Sequence, residues 1–246
     1  MARPGLIDLG RGLVQLLFPN SCLICDVSES DQTPLRHGLC SDCHHAVTSD
    51  RSPSCPRCGS TVGPHSYMEA GCTNCRGEAL SFESVIRLGS YENRLRDAVI
   101  RMKLSSGESL AGMMGRIFCE TACDRLRTAR VEVVVPVPLH WRREWGRGHN
   151  QAASVAEELA SGLGVRFVPR GVRRVRYTPQ QVQPSAAARR ENVRGAFRVR
   201  HRASVAGKRI LLVDDVMTTG STASEVARTL RQAGAQEVIV AVLARR

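Results

Sequence analysis

Arg209-Ile210-Leu211-Leu212-Val213-Asp214-Asp215-Val216-Met217-Thr218-Thr219-Gly220-Ser221-Thr222 is the stretch whose reading decides the fold. Residues 209–213 are almost wholly apolar and β-branched or leucine, which is how a strand buried on both faces reads. Ala223, Val226, Ala227, Leu230 and Ala233 follow at helical spacing, with Gly234 as a C-cap. A buried strand feeding straight into a helix belongs to a parallel sheet, and ligands of such sheets bind beyond the strands' carboxyl ends. The residues at that point have matching chemistry. Thr218, Thr219, Gly220, Ser221 and Thr222 put hydroxyls and backbone N–H groups at a helix N-terminus, a place suited to a phosphate monoester. Asp214 and Asp215 repel phosphate, so they should face something else, and a vicinal diol is the natural partner. A ribose 5-phosphate satisfies both ends of the stretch at once.

Working outward, further strand and helix patterns alternate. Strands are expected at Phe82 to Leu88, Val131 to Val135, Val165 to Val168 and Glu237 to Leu243. Helical faces are expected through Leu95, Ala98, Val99 and Met102, over residues 107–129, and from Ala152 to Leu163. Residues 170–205 are arginine-rich, contain Pro179 and Pro184, and read as a long excursion with little periodicity.

The N-terminal third is organised by cysteine instead. Eight of the 10 cysteines form four C-x-x-C pairs: Cys22/Cys25, Cys40/Cys43, Cys55/Cys58 and Cys72/Cys75. A two-residue gap lets both sulfurs of a tight knuckle face one metal, and two knuckles complete a tetrahedral site, so eight ligands make two structural Zn2+ sites. A disulfide framework fits regular C-x-x-C pairs poorly. Sequential pairing is preferred and a cross-braced arrangement is the alternative. Gly59, after the Cys55-Pro56-Arg57-Cys58 knuckle, is expected at positive φ. Cys119 and Cys123 stand four apart in a helical pattern and read as buried core thiols.

Lys+Arg number 35 against 23 acids, a net charge of +12. Residues 142–209 hold 16 basic and 4 acidic side chains, so the whole excess lies there, and that segment should see phosphate. With 2 Trp, 3 Tyr and 5 Phe, a binding surface built on many stacked aromatics is not expected. No apolar run reaches the roughly 18–20 residues that span a bilayer, and the stretch before Pro19 lacks a signal-peptide cleavage site. Residues 6–18 are expected to form an amphipathic helix, no membrane insertion is expected, and a cytoplasmic location follows.

The stretch 210–222 resembles the phosphoribosyl pyrophosphate (PRPP) loop of type I phosphoribosyltransferases. Pro136-Val137-Pro138-Leu139-His140, Arg147-Gly148-His149-Asn150-Gln151, then Thr178, Gln181, Arg189, Asn192 and Ala196-Phe197 resemble the run of motifs in the ComF competence family. Two positions depart from that pattern: His149 stands where Phe is usual, and Pro184 where Leu is usual. The resemblance implies an α/β fold, a phosphoribosyltransferase-like parallel sheet with helices on both faces, preceded by a small double zinc ribbon. The expected division is 1–19 helix, 20–80 ribbons and 81–246 PRPP-binding domain. It further implies that Asp214 and Asp215 hold the ribose hydroxyls, and that Met217, Thr218, Thr219, Gly220, Ser221 and Thr222 form the phosphate loop. Arg142 and Arg143 would belong to a pyrophosphate loop, and Arg147, Asn150 and Gln151 to a hood over the ribose C1. Arg176 and Arg189 would be clamps on a flexible loop at 170–197, with Mg2+ accompanying PRPP.

Two classes of function follow from the resemblance. One is a protein of natural transformation that binds Mg-PRPP and handles single-stranded DNA. The other is an active enzyme transferring ribose 5-phosphate from PRPP to a nitrogen acceptor, with Asp214, Asp215 and Arg147 in the catalytic site. The acidic ribbons are a poor DNA footprint and suit protein partners of the competence machinery. Their removal is expected to leave PRPP affinity intact.

Overall fold

The computed structural model describes residues 20–63, 71–177 and 186–246, except the side chains of 142–144 and 186. The helix expected over 6–18, and Thr178, Gln181 and Pro184, lie outside the described residues. The elements in chain order are α1 (Ser41–Thr48), β1 (Ser84–Ser90), α2 (Asn93–Arg101), α3 (Glu108–Thr121), α4 (Cys123–Thr128), β2 (Val133–Pro136), α5 (Trp141–Arg147) and α6 (Gln151–Leu163). Then come β3 (Arg166–Phe167), β4 (Val172–Arg174), α7 (Ala186–Val193), β5 (Phe197–Val199), β6 (Arg209–Met217), α8 (Ser221–Gln232) and β7 (Glu237–Arg245).

Five strands form one all-parallel sheet in the order β1-β7-β6-β2-β3. The two central strands are apolar on both faces, and the pleat sends alternate residues to opposite cores. Leu211, Val213, Ile239 and Ala241 pack with α2, α3 and α6 on one side. Ile210, Leu212, Val238 and Val240 pack with α8 on the other. From β2 the chain moves outward to β3, whereas from β6 it moves the other way to β7. The gap between β2 and β6 is therefore the topological switch point, where parallel sheets open their ligand crevice.

Several expectations are refined. β6 does not stop at Val213 but continues to Met217, because β7 goes on pairing with it: Asp214 with Val242, Val216 with Ala244 and Met217 with Arg245. β2 ends at Pro136, opposite Val213, so the other edge of β6 is uncovered from Asp214 onward. The helix expected over 107–129 breaks at Ala122 (φ −109°, ψ 18°), which redirects α4 so that Leu126 reaches the core. Cys119 and Cys123 are half-buried rather than buried. Cys119 lies so close to Gly162 that a Cβ there would stand 2.4 Å from its Sγ, and glycine permits the close approach of α3 and α6. The excursion is more ordered than its composition suggests: β4 and β5 pair antiparallel at its base and α7 lies between them.

The second ribbon is bolted to the sheet by two buried arginines. Arg87 of β1 donates to the Gly59 carbonyl (3.0 Å) and the Thr61 hydroxyl (2.7 Å). Arg245 of β7 donates from Nε to the Cys58 carbonyl (2.9 Å) and from Nη1 to the Met217 carbonyl (3.2 Å). The Val85 amide donates to the Pro56 carbonyl. Gly59 has the positive φ expected of it (71°), and Val85 leaves no room there for a Cβ.

Candidate functional site: two cysteine tetrads and a cavity at the sheet's switch point

Sequential pairing of the knuckles is what the fold assembles. Cys22, Cys25, Cys40 and Cys43 form one group and Cys55, Cys58, Cys72 and Cys75 the other, with all sulfurs of a group within 4.8 Å of one another. A tetrahedral Zn2+ with Zn–S of about 2.3 Å requires sulfurs about 3.8 Å apart. The Cys25–Cys40, Cys55–Cys75 and Cys58–Cys72 separations are 3.7, 3.8 and 3.5 Å. Backbone bonds set the knuckles: the Asp26 amide donates to the Cys22 carbonyl, Gly59 to Cys55 and Arg76 to Cys72. Burial and the neighbouring thiols push Cys75 up to about 12, so a fully deprotonated tetrad needs a cation at its centre. The donor sets fit zinc, and with four protein ligands each they are structural.

The second feature is a cavity of about 320 Å³ at the C-terminal ends of β2 and β6. Asp214, Asp215, Thr218 and Thr222 line it from β6 and the loop after it, and Val137 to Leu139 from the end of β2. Lys103, Arg147, Asn150 and Gln151 stand on other sides of it, with Tyr91, Arg174 and Arg246. Asp215 is buried and held by several donors: Gln151 Nε2 at 2.9 Å, the Val216 amide at 2.7 Å and Lys103 Nζ at 3.3 Å. Burial pushes the Asp215 carboxyl up, but Lys103, Gln151 and the Val216 amide together outweigh it and hold it below the usual range. Asp214 is pushed well above that range, by burial first and by the Asp215 charge second. Its Oδ1 accepts from the Asp215 amide. The pair therefore presents one firmly ionised carboxylate and one that ionises reluctantly.

The turn after β6 closes on Gly220, whose φ of 77° places it in the left-handed region as the N-cap of α8. The Thr219 and Ser221 hydroxyls bond each other at 2.8 Å, and the Ser221 amide reaches back to Thr219 Oγ1. This gives a helix N-terminus with hydroxyls on its rim, of which Thr218 and Thr222 line the cavity of the acid pair. A diol on the acids and a phosphate on the loop can thus be held together, with Lys103 and Arg147 beside them as cations.

The other expected site residues divide. Arg147 donates to Gln151 Oε1 (3.4 Å), so Arg147, Gln151 and Asp215 form one hydrogen-bonded chain. Asn150 is turned to the scaffold: Oδ1 caps α6 at the Ala152 amide and Nδ2 holds the Val137 carbonyl. Arg142 lies in α5, with its side chain outside the described residues. Arg189 lines a different cavity, about 530 Å³, behind the loop with Met217, Thr218, Thr219 and Gly220. Arg176 is not placed as a clamp, because its guanidinium donates to the Asn192 and Arg194 carbonyls and pins the base of the excursion. His149 is buried, with Nε2 3.0 Å from the Met102 carbonyl, and so ties the hood to the turn that carries Lys103. Lys103 itself was not among the expected site residues. It precedes Asp215 by 112 positions, and no local pattern marks it.

The same cavity behind the loop is lined by Cys58 and Cys75 of the second tetrad. Arg245 joins that tetrad's backbone to Met217, the last residue of β6. The second ribbon, unlike the first, is part of what supports the loop, so the independence expected of both ribbons does not follow from this geometry.

Comparison with known proteins agrees with this arrangement. A phosphoribosyl transferase domain model matches residues 149–246, and a double zinc ribbon model matches residues 13–76. The chain is 33% identical to competence protein F of Haemophilus influenzae over 214 residues, covering 85% of this chain and 91% of that protein. It is 31% identical to the DNA utilization protein YhgH of Escherichia coli K12 over 234 residues, covering 94% and 99%. Competence protein ComFC of Streptococcus pneumoniae is 26% identical over 208 residues, covering 81% and 84%.

Proposed function

Because the chain belongs to the ComF family, a double zinc ribbon ahead of a phosphoribosyltransferase domain, we propose that it binds PRPP as its Mg2+ complex and serves the handling of single-stranded DNA in natural transformation. The observation that carries the first half is the Asp214–Asp215 pair on the uncovered edge of β6, followed at once by the Gly220-capped start of α8. In this reading the two carboxylates accept from the ribose 2- and 3-hydroxyls, and residues 218–222 hold the 5-phosphate. Lys103 and Arg147 face the pyrophosphate side, and Mg2+ travels with the substrate, bound mainly through its oxygens. The second half is supported by the relatives named for competence and DNA utilization. No described helix is long and apolar enough to cross a membrane, in keeping with a cytoplasmic role. The first ribbon packs with α2 and α3 and does not line the cavity of the acid pair, and in this reading its outer surface meets a partner protein of the competence machinery.

Calorimetric titration of zinc-loaded protein with Mg-PRPP tests the first half, beside an Asp214→Asn/Asp215→Asn double variant. Binding by the wild type alone is the expected result. Binding by neither protein refutes the PRPP reading. The alternative, turnover, is favoured by the four cations that line the cavity, Lys103, Arg147, Arg174 and Arg246. A nitrogen nucleophile would form its bond to C1 as the C1–oxygen bond to pyrophosphate breaks, with the electron pair leaving on pyrophosphate. Release of pyrophosphate dependent on an added nitrogen acceptor tests it.

A further inference from the structure

Both tryptophans of the chain stand on one face of α5, four residues apart, and both are exposed: Trp141 by 57% and Trp145 by 85%. Their ring centroids are 6.3 Å apart, inclined at 60°. Trp141 also meets the His140 ring at 5.6 Å, yet both indoles keep more than half of their surface in water, and such a pair marks an interaction surface. Across from them lies β4. Arg170, Arg173, Arg174 and Arg200 line the opposite wall of a cleft of about 650 Å³, and among the described residues no carboxylate lines it. The cleft shares Pro138, Leu139, Asn150 and Arg174 with the cavity of the acid pair, so the two are neighbours.

We propose that this cleft is a binding site for single-stranded nucleic acid, with bases stacked on Trp141 and Trp145 and phosphates on Arg170, Arg173 and Arg200. The wall chemistry selects that occupant. An acidic peptide would use the arginines and leave the indole faces uncovered. A second copy of this chain would bring its own +12 charge to the cleft. A duplex keeps its bases stacked on one another and has none to offer. Single strands supply flat faces and a phosphate row together, the two features the walls present. The scarcity of aromatics noted in the sequence does not count against this, since the few large ones are gathered at one place. The site rests on the nucleic-acid half of the proposed function and is independent of the PRPP half.

The test uses the full zinc-loaded chain and a fluorescently labelled oligo(dT) of 20 nucleotides, read by anisotropy, with an unlabelled copy read by intrinsic tryptophan emission. All of that emission comes from the cleft, so occupancy should quench it. Trp145→Ala should weaken binding about tenfold or more, and Arg173→Ala/Arg200→Ala should weaken it and make its salt dependence shallower by about 1.4 in slope. Mg-PRPP affinity should be unchanged in both, and Asp214→Asn/Asp215→Asn should retain oligonucleotide binding. Equal affinity for inorganic polyphosphate or for a duplex would overturn the site. Anisotropy that rises without quenching, insensitive to Trp145→Ala, would place the nucleic acid elsewhere on the protein and overturn this site alone. No anisotropy change at all would overturn the nucleic-acid reading with it.

Discussion

Replacing Arg245 by methionine tests whether the second ribbon supports the phosphate loop. Methionine keeps much of the side-chain volume but removes the donors to Cys58 and Met217. No other described backbone donor reaches the Cys58 carbonyl, so it is orphaned in a buried place. An orphaned buried acceptor costs about 1–3 kcal/mol. The Met217 carbonyl keeps the Arg246 amide at 3.0 Å, so its loss is nearer about 1 kcal/mol. The total, about 2–4 kcal/mol, corresponds to a Tm lower by roughly 5–15 °C for a chain of this size. The loss falls at the second tetrad. Zinc captured by a chromophoric chelator should therefore appear in two phases, one of two equivalents leaving about thirtyfold faster for about 2 kcal/mol. Mg-PRPP affinity should fall with it, and saturating Mg-PRPP should slow the fast phase, since coupling between two sites is reciprocal. A variant with unchanged Tm, single-phase zinc release and wild-type PRPP affinity would refute the reasoning, because it would mean that Arg245 carries no part of the contact.

Other predictions follow from the same contacts. Arg101→Ala removes an exposed pair with Asp26 near the first tetrad and should shift Tm by no more than about 2 °C in calorimetry. Lys103→Met strips Asp215 of its cation and should cost about 1–3 kcal/mol at pH 8 but less near pH 5, where the carboxyl can take a proton; urea unfolding at the two pH values checks this. Asp214, whose folded value is raised, holds its proton more tightly folded than unfolded. The unliganded protein should thus lose stability as pH rises from about 4 through the raised folded value, and Asp214→Asn should be more stable than wild type at neutral pH, as read by thermal unfolding. Mg-PRPP affinity should run the other way. It should climb with pH up to tenfold per unit until Asp214 is ionised, with proton release measurable by calorimetry in buffers of different ionisation enthalpy. His149→Phe restores the residue usual in the family and frees the Met102 carbonyl; if His149 ties the hood to the Lys103 turn, amide exchange around Met102 should quicken.

The elements that were legible in the sequence are those whose information is local. The run from Ile210 to Thr222 carries strand, acid pair and helix start within thirteen residues, and the structure keeps their order, although the strand runs on through the acids to Met217. The four C-x-x-C pairs specify their own knuckles, because two thiols with two residues between them can hardly avoid meeting at one metal. The alternation of strands and helices gave the sheet its parallel sense for the same reason. Which knuckles share a metal was open in the sequence, and the fold closed it by packing the first two pairs with Ile86 and Leu88 of β1 and fixing the second ribbon through Arg87 of β1 and Arg245 of β7.

What only the tertiary structure decided is everything that depends on approach from afar. β6 runs on to Met217 because a partner strand is there to receive its hydrogen bonds, and the acids are accessible because β2 stops early. Lys103 comes to Asp215 through the turn after α2, and the Arg176 guanidinium is taken up by two carbonyls of its own segment. An arginine in a row of sixteen basic side chains looks like any other in sequence. Charge has no direction until a backbone aims it, and the cleft of Trp141 and Trp145 exists only because α5 and β4, thirty residues apart, are brought face to face.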